Sequence, residues 1–202
     1  DSDKNIINLS RIYNRLIIYY LDDDLLNIPK YASCSPFYEN KHIRENMVEI
    51  MKKSDILWTS SNNIKKKYGS YFNRSYVIDI PITIEKKKKK EFSENNKLIK
   101  ICFAGSIDHV HLFDKMLAPV INNISEKYIG KIEIYIVGIN PQKLNNTSNI
   151  KIIEFFNNIE DYYNFVKKNK FDIGLAPLKE TSFNSCKYYN KFLDYTSKGI
   201  VG

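Results

Sequence analysis

Four charged side chains close to the C-terminal end of the sequence are spaced as one face of a helix requires. Lys187, Lys191, Asp194 and Lys198 follow one another at steps of four, three and four residues. At about 3.6 residues per turn, residues with this spacing share a face. Ammonium groups can neutralise a diphosphate, and a carboxylate can accept hydrogen bonds from ribose hydroxyls. The spacing predicts a nucleotide-sugar site in which Lys187, Lys191 and Asp194 bind the ligand, although a solvated helix face is the ordinary alternative for such charges.

The predicted strand and helix around these charges place them at the edge of a sheet. Residues 171–177 read as a buried strand, and residues 184–198 read as a helix that stops at Gly199. In open α/β sheets, ligands bind in the crevice beyond the carboxyl ends of the strands. Asn184, at the predicted start of this helix, therefore joins the candidate binding residues.

A second candidate lies at the turn after the predicted strand 98–104. Gly105 and Ser106 open toward a predicted helix over residues 109–127, which Pro119 should bend or interrupt. A glycine there allows backbone N–H groups to approach a phosphate, and the helix N-terminus adds a favourable field. His109 is our candidate catalytic residue, contacting phosphate or a sugar hydroxyl, whereas an ordinary loop histidine is the alternative.

Three consecutive carboxylates, Asp22, Asp23 and Asp24, follow the predicted strand 15–21. Spaced carboxylates can hold a divalent cation that bridges phosphates, but one of these residues could equally cap the next turn. Lysines already serve the phosphate end of the predicted ligand, and the three histidines do not have the spacing of metal ligands. We therefore expect no metal and no other cofactor.

The order of predicted elements indicates an α/β protein with two Rossmann-like, doubly wound domains, because strands and helices alternate. Residues 1–84 form a partial N-terminal domain with about three strands, residues 85–97 form a lysine-rich linker, and residues 98–202 form the second domain. That second domain stops at Ile200 and Val201, where a further strand should begin. The remaining predicted elements are helices 40–53, 61–68 and 159–168 and strands 55–60, 76–80, 131–137 and 149–155.

Composition excludes several classes of protein. The 202 residues are 43% hydrophobic and 27% charged, and no apolar run approaches the roughly 20 residues of a membrane span. Three widely spaced cysteines form no disulfide framework, which favours the cytoplasm. The net charge of +8 favours anionic ligands and is compatible with peripheral attachment to the inner face of a membrane. The lysine run from Lys86 to Lys90 has no interleaved aromatic residues, so nucleic acid is not an expected partner.

Several segments resemble those of GT-B glycosyltransferases. The sequence from Ile18 to Leu25 and the sequence from Ser54 to Ser61 are similar to two N-terminal segments of that family, and Val77 to Pro81 resembles the strand before its interdomain linker. Residues 103–109 look like the opening of its nucleotide-binding domain. The most specific match is the strand and helix of residues 171–177 and 184–199, which resemble the family's donor site. The resemblance covers residues 15–202.

This resemblance implies a metal-independent hexosyltransferase acting in the synthesis of cell-envelope polysaccharide. The sugar would pass from a nucleoside-diphosphate donor to a glycan, lipid or protein acceptor. The turn at Gly105 and the ammonium group of Lys191 would hold the diphosphate, Lys187 would add a second phosphate contact, and Asp194 would bind ribose. The family usually has Glu where this chain has Asp194, and many members have a second Glu where this chain has Cys186.

Two alternatives remain open from the sequence. A non-catalytic sugar-nucleotide-binding or scaffold module could share this fold with Cys186 in place of the glutamate, and a basic protein could contact nucleic acid through Lys86 to Lys90. Both ends of the chain read as unfinished. The family's acceptor loop would precede residue 1, so we expect transfer from a longer protein rather than from this chain alone.

Overall fold

The computed structural model describes residues 2–84 and 98–202. These residues form two compact units, one built from residues up to Pro81 together with Lys179–Tyr188, the other from Ile82–Leu178 and Tyr189–Gly202. The predicted linker 85–97, including the run from Lys86 to Lys90, lies outside the described residues. Residues 179–188 belong to the first unit, whereas the rest of the predicted donor segment, residues 171–178 and 189–199, belongs to the second. We refer to unit 1 and unit 2 in this order.

Unit 1 contains a three-stranded parallel sheet in the order β1-β2-β3. Its strands are β1 (Ile18–Leu21), β2 (Ile56–Thr59) and β3 (Arg74–Val77). Its α-helices are α1 (Ser2–Ile12), α2 (Ser35–Glu39), α3 (Lys41–Lys53) and α4 (Asn62–Tyr68), and short 3₁₀ turns span Leu25–Asn27 and Gly69–Tyr71. The strands at 15–21, 55–60 and 76–80 were predicted within a few residues, whereas α1 and α2 carried no prediction.

The core of unit 1 lies on one face of this sheet. Leu21 and Leu57 pack there against Met51 from α3 and Ile64 from α4. On the other face, Tyr20, Trp58 and Tyr76 are paired across the three strands and each is at least 40% exposed. Parallel sheets are normally covered on both faces. In unit 1 the second face carries exposed aromatic side chains, and the three strands match the number that the sequence predicted for this part of the chain.

Unit 2 contains a four-stranded parallel sheet in the order β6-β5-β4-β7. The strands are β4 (Ile99–Ala104), β5 (Ile132–Val137), β6 (Ile150–Ile153) and β7 (Ile173–Leu175). The helices are α5 (Val110–Leu112), α6 (Ala118–Lys127), α7 (Ile159–Asn169) and α8 (Asn190–Ser197), with 3₁₀ turns at Ile107–His109 and Asn184–Cys186, the latter within unit 1. Val201 makes an isolated parallel bridge to Ile173, which confirms the predicted strand start at Ile200 and Val201.

The order of strands in unit 2 gives the sheet a topological switch point. Numbered from β4, the order with the Val201 bridge is 3-2-1-4-5, so the chain reverses direction across the sheet between β4 and β7. Successive residues of β4 alternate between two cores. Phe103 packs toward α6, and Cys102 packs with Val166 of α7 and Tyr195 of α8. Helices on both faces make unit 2 doubly wound, as predicted.

The helical run after β4 contains the interruption predicted from Pro119. A π-helical segment, Phe113–Leu117, separates α5 from α6, and Pro119 stands in the first turn of α6. Proline has no N–H to donate and its ring crowds the carbonyl four residues earlier, so a regular α-helix cannot pass through this point without a break. The π segment supplies the break, and α6 then begins at Ala118 with Pro119 in its first turn, where the missing N–H costs nothing.

Candidate functional site

A pocket of about 530 Å³ opens at the carboxyl ends of β4, β5 and β6 in unit 2. The turn after β4 supplies Gly105, Ser106 and His109, and α8 supplies Lys191 and Asp194. The remaining wall comes from residues around the ends of β5 and β6 and from α7: Val137, Gly138, Phe155, Phe156, Asn157, Ile159 and Tyr162. Pockets for small ligands typically measure about 300–1,000 Å³, and open α/β sheets bind ligands in the crevice beyond the carboxyl ends of their strands.

Two glycines allow the strand ends to meet at the base of this pocket. The N–H of Gly105 donates to the carbonyl of Val137 at 3.0 Å, and the N–H of Gly138 donates to the carbonyl of Ile153 at 2.9 Å. Gly138 has φ of +79°, and a Cβ there would lie 2.2 Å from the Gly105 carbonyl oxygen. Only glycine can occupy position 138 without displacing the Gly105 turn. The sequence contains this signal, since the predicted strand 131–137 is followed directly by Gly138.

His109 is tied to the same turn through its ring. The backbone N–H of Ser106 donates to His109 Nδ1 at 3.4 Å, and the Ser106 hydroxyl lies 3.2 Å from the same nitrogen. When Nδ1 accepts from a backbone N–H, a neutral imidazole carries its proton on Nε2. The ring is thereby oriented as a donor through Nε2, which suits a contact to phosphate or to a sugar hydroxyl.

Lys191 brings a positive charge to the end of β4. It occupies the first turn of α8, and its Nζ lies 5.5 Å from the centroid of the Phe103 ring. Burial raises the pKa of the neighbouring Cys102 thiol to about 12, and the charge of Lys191 acts in the opposite direction. A lysine in the first turn opposes the helix dipole, which favours anions at that end. An anionic ligand would relieve this opposition, because the ammonium group and the helix N-terminus would both attract it.

Helix α8 is held against the sheet by the ring of Tyr195. This side chain is 1% exposed, and a Cβ on Gly174 of β7 would lie 2.4 Å from its ring. At the other end, Gly199 has φ of +69°, and the N–H of Ile200 donates to the Tyr195 carbonyl at 3.0 Å. These are the features of a Schellman termination, which confirms the predicted stop at Gly199. The close contact between Tyr195 and Gly174 fixes how near α8 lies to the sheet, and so it fixes the positions of Lys191 and Asp194 in the pocket.

Asp194 lines the pocket from the third position after Lys191, as one helix face requires. Its carboxylate pairs through Oδ1 with Lys198 Nζ, four residues later. Across the pocket from α7, Tyr162 presents a phenol whose pKa is raised by burial and also by the charges of Cys102 and Asp194. The phenol therefore keeps its proton at neutral pH and can donate or accept a hydrogen bond.

The prediction was wrong for the N-terminal part of the helix that should carry these charges. The segment 184–198 is not one helix, because a 3₁₀ turn at Asn184–Cys186 and extended backbone at Lys187 precede α8. Lys187 belongs to unit 1, where its Nζ lies 3.2 Å from both carboxylate oxygens of Asp23. The Asn184 amide donates to the Lys179 carbonyl at 2.8 Å and so holds the same segment together. The structure brings Gly105, Ser106, His109, Lys191 and Asp194 together in unit 2, whereas Lys187 and Asn184 belong to unit 1.

Two of the three carboxylates after β1, those of Asp23 and Asp24, are paired with lysines within unit 1. Asp24 is fully buried, and its carboxylate accepts from Lys67 Nζ, the Tyr68 hydroxyl and Asn27 Nδ2. Burial would raise the pKa of Asp24, but hydrogen bonds from Lys67, Tyr68 and Asn27 outweigh it and leave the pKa below its ordinary value. Lys67 Nζ also donates to the Ser182 hydroxyl at 3.0 Å. The cluster therefore fastens residues 179–188 to unit 1, which is the structural alternative to a metal site.

The aromatic wall of the pocket was not predicted. Phe155, Phe156 and Tyr162 lie where β6 ends and α7 begins, and the sequence shows them only as part of an apolar run and an amphipathic helix. Nothing in their spacing separates such residues from core residues. They line the pocket because β6 pairs with β5, and this pairing places the loop after β6 beside Gly138 at the end of β5.

The described ranges contain neither a metal-binding cluster nor a helix able to span a membrane. Within residues 2–84 and 98–202, no three His, Cys, Asp or Glu side chains are grouped in a way that could hold a metal ion. Within the same ranges, the helices are too short or too polar to cross a bilayer.

Comparison with known proteins gives few matches. No protein-family model matches the chain, and no curated protein matches it. Among solved structures, one described as the apo structure of OtsA is similar, with a TM-score of 0.49 and 12% sequence identity, over 89% of this chain and 52% of that chain. The chain thus spans about half the length of that structure. A likeness at this level carries no argument about activity, and the fold class stands on the two parallel α/β sheets described above.

Proposed function

We propose that unit 2 binds a nucleoside-diphosphate sugar, and that the longer protein containing this chain is a glycosyltransferase that passes the sugar to a glycan, lipid or protein acceptor. The observation that carries the proposal is the pocket of about 530 Å³ at the carboxyl ends of the strands of unit 2, where Lys191 and Asp194 come from one helix and the Gly105 turn lines the same pocket. The resemblance of the 171–177 and 184–199 segments to GT-B glycosyltransferases supports the same conclusion.

The charged groups of the pocket, the Gly105 turn and His109 each have a role in this proposal. The ammonium group of Lys191, the N-terminus of α8 and the backbone of the Gly105 turn bind the diphosphate. These groups also stabilise the charge that grows on the leaving nucleotide as the sugar departs. Asp194 accepts hydrogen bonds from ribose, and His109 donates from Nε2 to a phosphate oxygen or a sugar hydroxyl. Because lysine and the helix N-terminus supply the positive field, the proposal includes no metal ion or other cofactor.

Calorimetric titration with UDP, GDP and ADP tests the binding step. We expect one of them to bind wild type and Lys191→Ala to weaken that binding by roughly tenfold to a hundredfold, as loss of a charge-assisted contact implies. Lys187→Ala is the matched control, because this lysine pairs with Asp23 in unit 1, and its affinity should stay within about twofold of wild type. A weakening by Lys187→Ala equal to that of Lys191→Ala would contradict the assignment, and no binding of any nucleotide to wild type would overturn it.

A non-catalytic nucleotide-sugar-binding module is the second candidate. It is favoured by Cys186, which occupies the position of a glutamate common in the resembling family and is fully buried in unit 1, with its thiol 3.5 Å from the Ser182 carbonyl. Such a module would bind nucleotide with the same dependence on Lys191. The longer protein would then show no transfer of radiolabelled sugar to acceptor fractions, whereas a transferase would lose measurable transfer with Lys191→Ala.

A further inference from the structure

Asp194 is held by a neighbour that stands outside the nucleotide pocket. Its carboxylate pairs with Lys198, and the side chains of Lys198 and Asp194 are only 17% and 28% exposed. Asp194 lines both the pocket at the strand ends and a neighbouring groove of about 450 Å³ bordered by α7 and α8, whereas Lys198 lines the groove and not the pocket. Lys198 therefore contacts the pocket through Asp194.

Lys198 is itself fixed from several sides. Its Nζ lies 4.2 Å from the centroid of the Tyr163 ring, on α7, and 3.4 Å from the Asp194 backbone carbonyl. It also stands at the C-terminal end of α8, immediately before the left-handed Gly199, where the helix dipole favours a cation. A cation held over an aromatic ring and at a helix C-terminus is a stable anchor for a carboxylate.

We propose that Lys198 is a positioning residue that fixes the carboxylate of Asp194 for recognition of the ribose hydroxyls. This inference rests on the proposed function, since it concerns the nucleotide that the pocket would bind. The ion pair uses Oδ1 of Asp194, which assigns Oδ2 to the ligand. Aspartate has one methylene between backbone and carboxylate, so its reach depends on a single χ1 rotamer, and the Lys198 contact selects that rotamer.

The pair also keeps the local charge compatible with the ligand. An isolated Asp194 carboxylate would repel the diphosphate that Lys191 attracts, and the ammonium group of Lys198 offsets that repulsion. Loss of Lys198 should therefore weaken nucleotide binding and, more specifically, should weaken the preference for an intact ribose. The second effect separates a positioning role from a general effect on folding or on charge.

The test compares a nucleoside diphosphate with its 2′-deoxy and 3′-deoxy forms, using whichever of UDP, GDP or ADP binds wild type. We expect wild type to bind the intact nucleotide at least about tenfold more tightly than one of the deoxy forms, as a hydrogen bond to a charged group implies. In Lys198→Met that ratio should fall to within about threefold. Lys198→Arg should preserve most of it, and Lys167→Met, which removes another lysine of the groove, should leave it unchanged.

A mutant cycle completes the experiment. Asp194→Asn should lower the ratio by itself, and adding Lys198→Met to that variant should change it by less than about twofold, because the two residues act through one contact. Binding of the nucleotide with the wild-type ratio in a folded Lys198→Met protein would overturn this inference alone. Failure of wild type to bind any of the three nucleotides would overturn the proposed function, and this inference with it.

Discussion

The residues that follow β1 in unit 1 and those that follow β4 in unit 2 differ in charge and in what the fold does with them. After β1, two of three consecutive aspartates pair with lysines, Asp24 with Lys67 of α4 and Asp23 with Lys187, and Asp24 is fully buried. After β4, a glycine, a serine and a histidine border an open pocket. The denser charge thus serves a structural contact, because Asp24 is enclosed by its own hydrogen-bond partners, whereas the less charged turn borders the pocket and is the candidate binding site.

The largest expected effect is the loss of Asp24. Asp24→Ala leaves Lys67 and Tyr68 without the carboxylate that they share, and breaking such a buried pair should lower the free energy of unfolding by about 3 kcal/mol. Urea unfolding followed by fluorescence of Trp58, the single tryptophan of the chain, reports on unit 1. Asp22→Ala is the control and should cost about 0.5 kcal/mol or less. Equal losses in the two variants would contradict the structural role of the cluster.

Alanine substitutions at Gly138 and Gly130 test the region that follows β4. Gly138 and Gly130 have nearly the same φ, +79° and +77°, but a Cβ on Gly130 has no atom within 4 Å, whereas one on Gly138 meets the Gly105 carbonyl. Both alanine variants should lose about 1 kcal/mol through the left-handed backbone, and Gly138→Ala should lose about 2 kcal/mol more through the clash. Thermal unfolding followed by circular dichroism measures the difference. Identical losses would show that the strand ends do not constrain the Gly105 turn.

Acid titration sharpens the account of Asp24. Its pKa is lowered in the folded state, so its stabilisation is complete above the ordinary value of 3.8 and is lost as the pH falls through the lower, folded value. Between about pH 5 and pH 2 the unfolding free energy of wild type should therefore fall more steeply than that of Asp24→Asn. Urea midpoints from Trp58 fluorescence at a series of pH values give the two slopes. Parallel slopes would mean that Asp24 titrates alike in the folded and unfolded states.

The smallest expected effect belongs to the pair of Lys187 and Asp23. Both side chains are about one-third exposed, so a double-mutant cycle to alanine should give a coupling of only about 0.5 kcal/mol, and less in high salt. Urea unfolding at low and high ionic strength provides the measurement. A coupling above about 2 kcal/mol would place Lys187 among the structural contacts of unit 1 on a par with Lys67.

The prediction for the donor segment was correct at one end only. The step from Lys191 to Asp194 placed both residues in one pocket because α8 is a regular helix between them. The same spacing rule failed from Lys187 to Lys191, because residues 179–188 leave unit 2 and pack with Asp24. Charge spacing carries no information about a break in the helix, and the break depends on contacts with residues more than 100 positions earlier in the chain.

The sequence by itself determined the features that depend on neighbouring residues: the alternation of strands and helices, the interruption at Pro119, the stop at Gly199 and the glycine turn after β4. These follow from local propensities, from missing N–H groups and from backbone freedom at glycine. Tertiary structure alone decided that Asp24 would be buried, that Lys187 would pair with Asp23 and that an aromatic wall would face Lys191. Those outcomes depend on which distant segments pack together, and packing selects among many partners of similar local sequence.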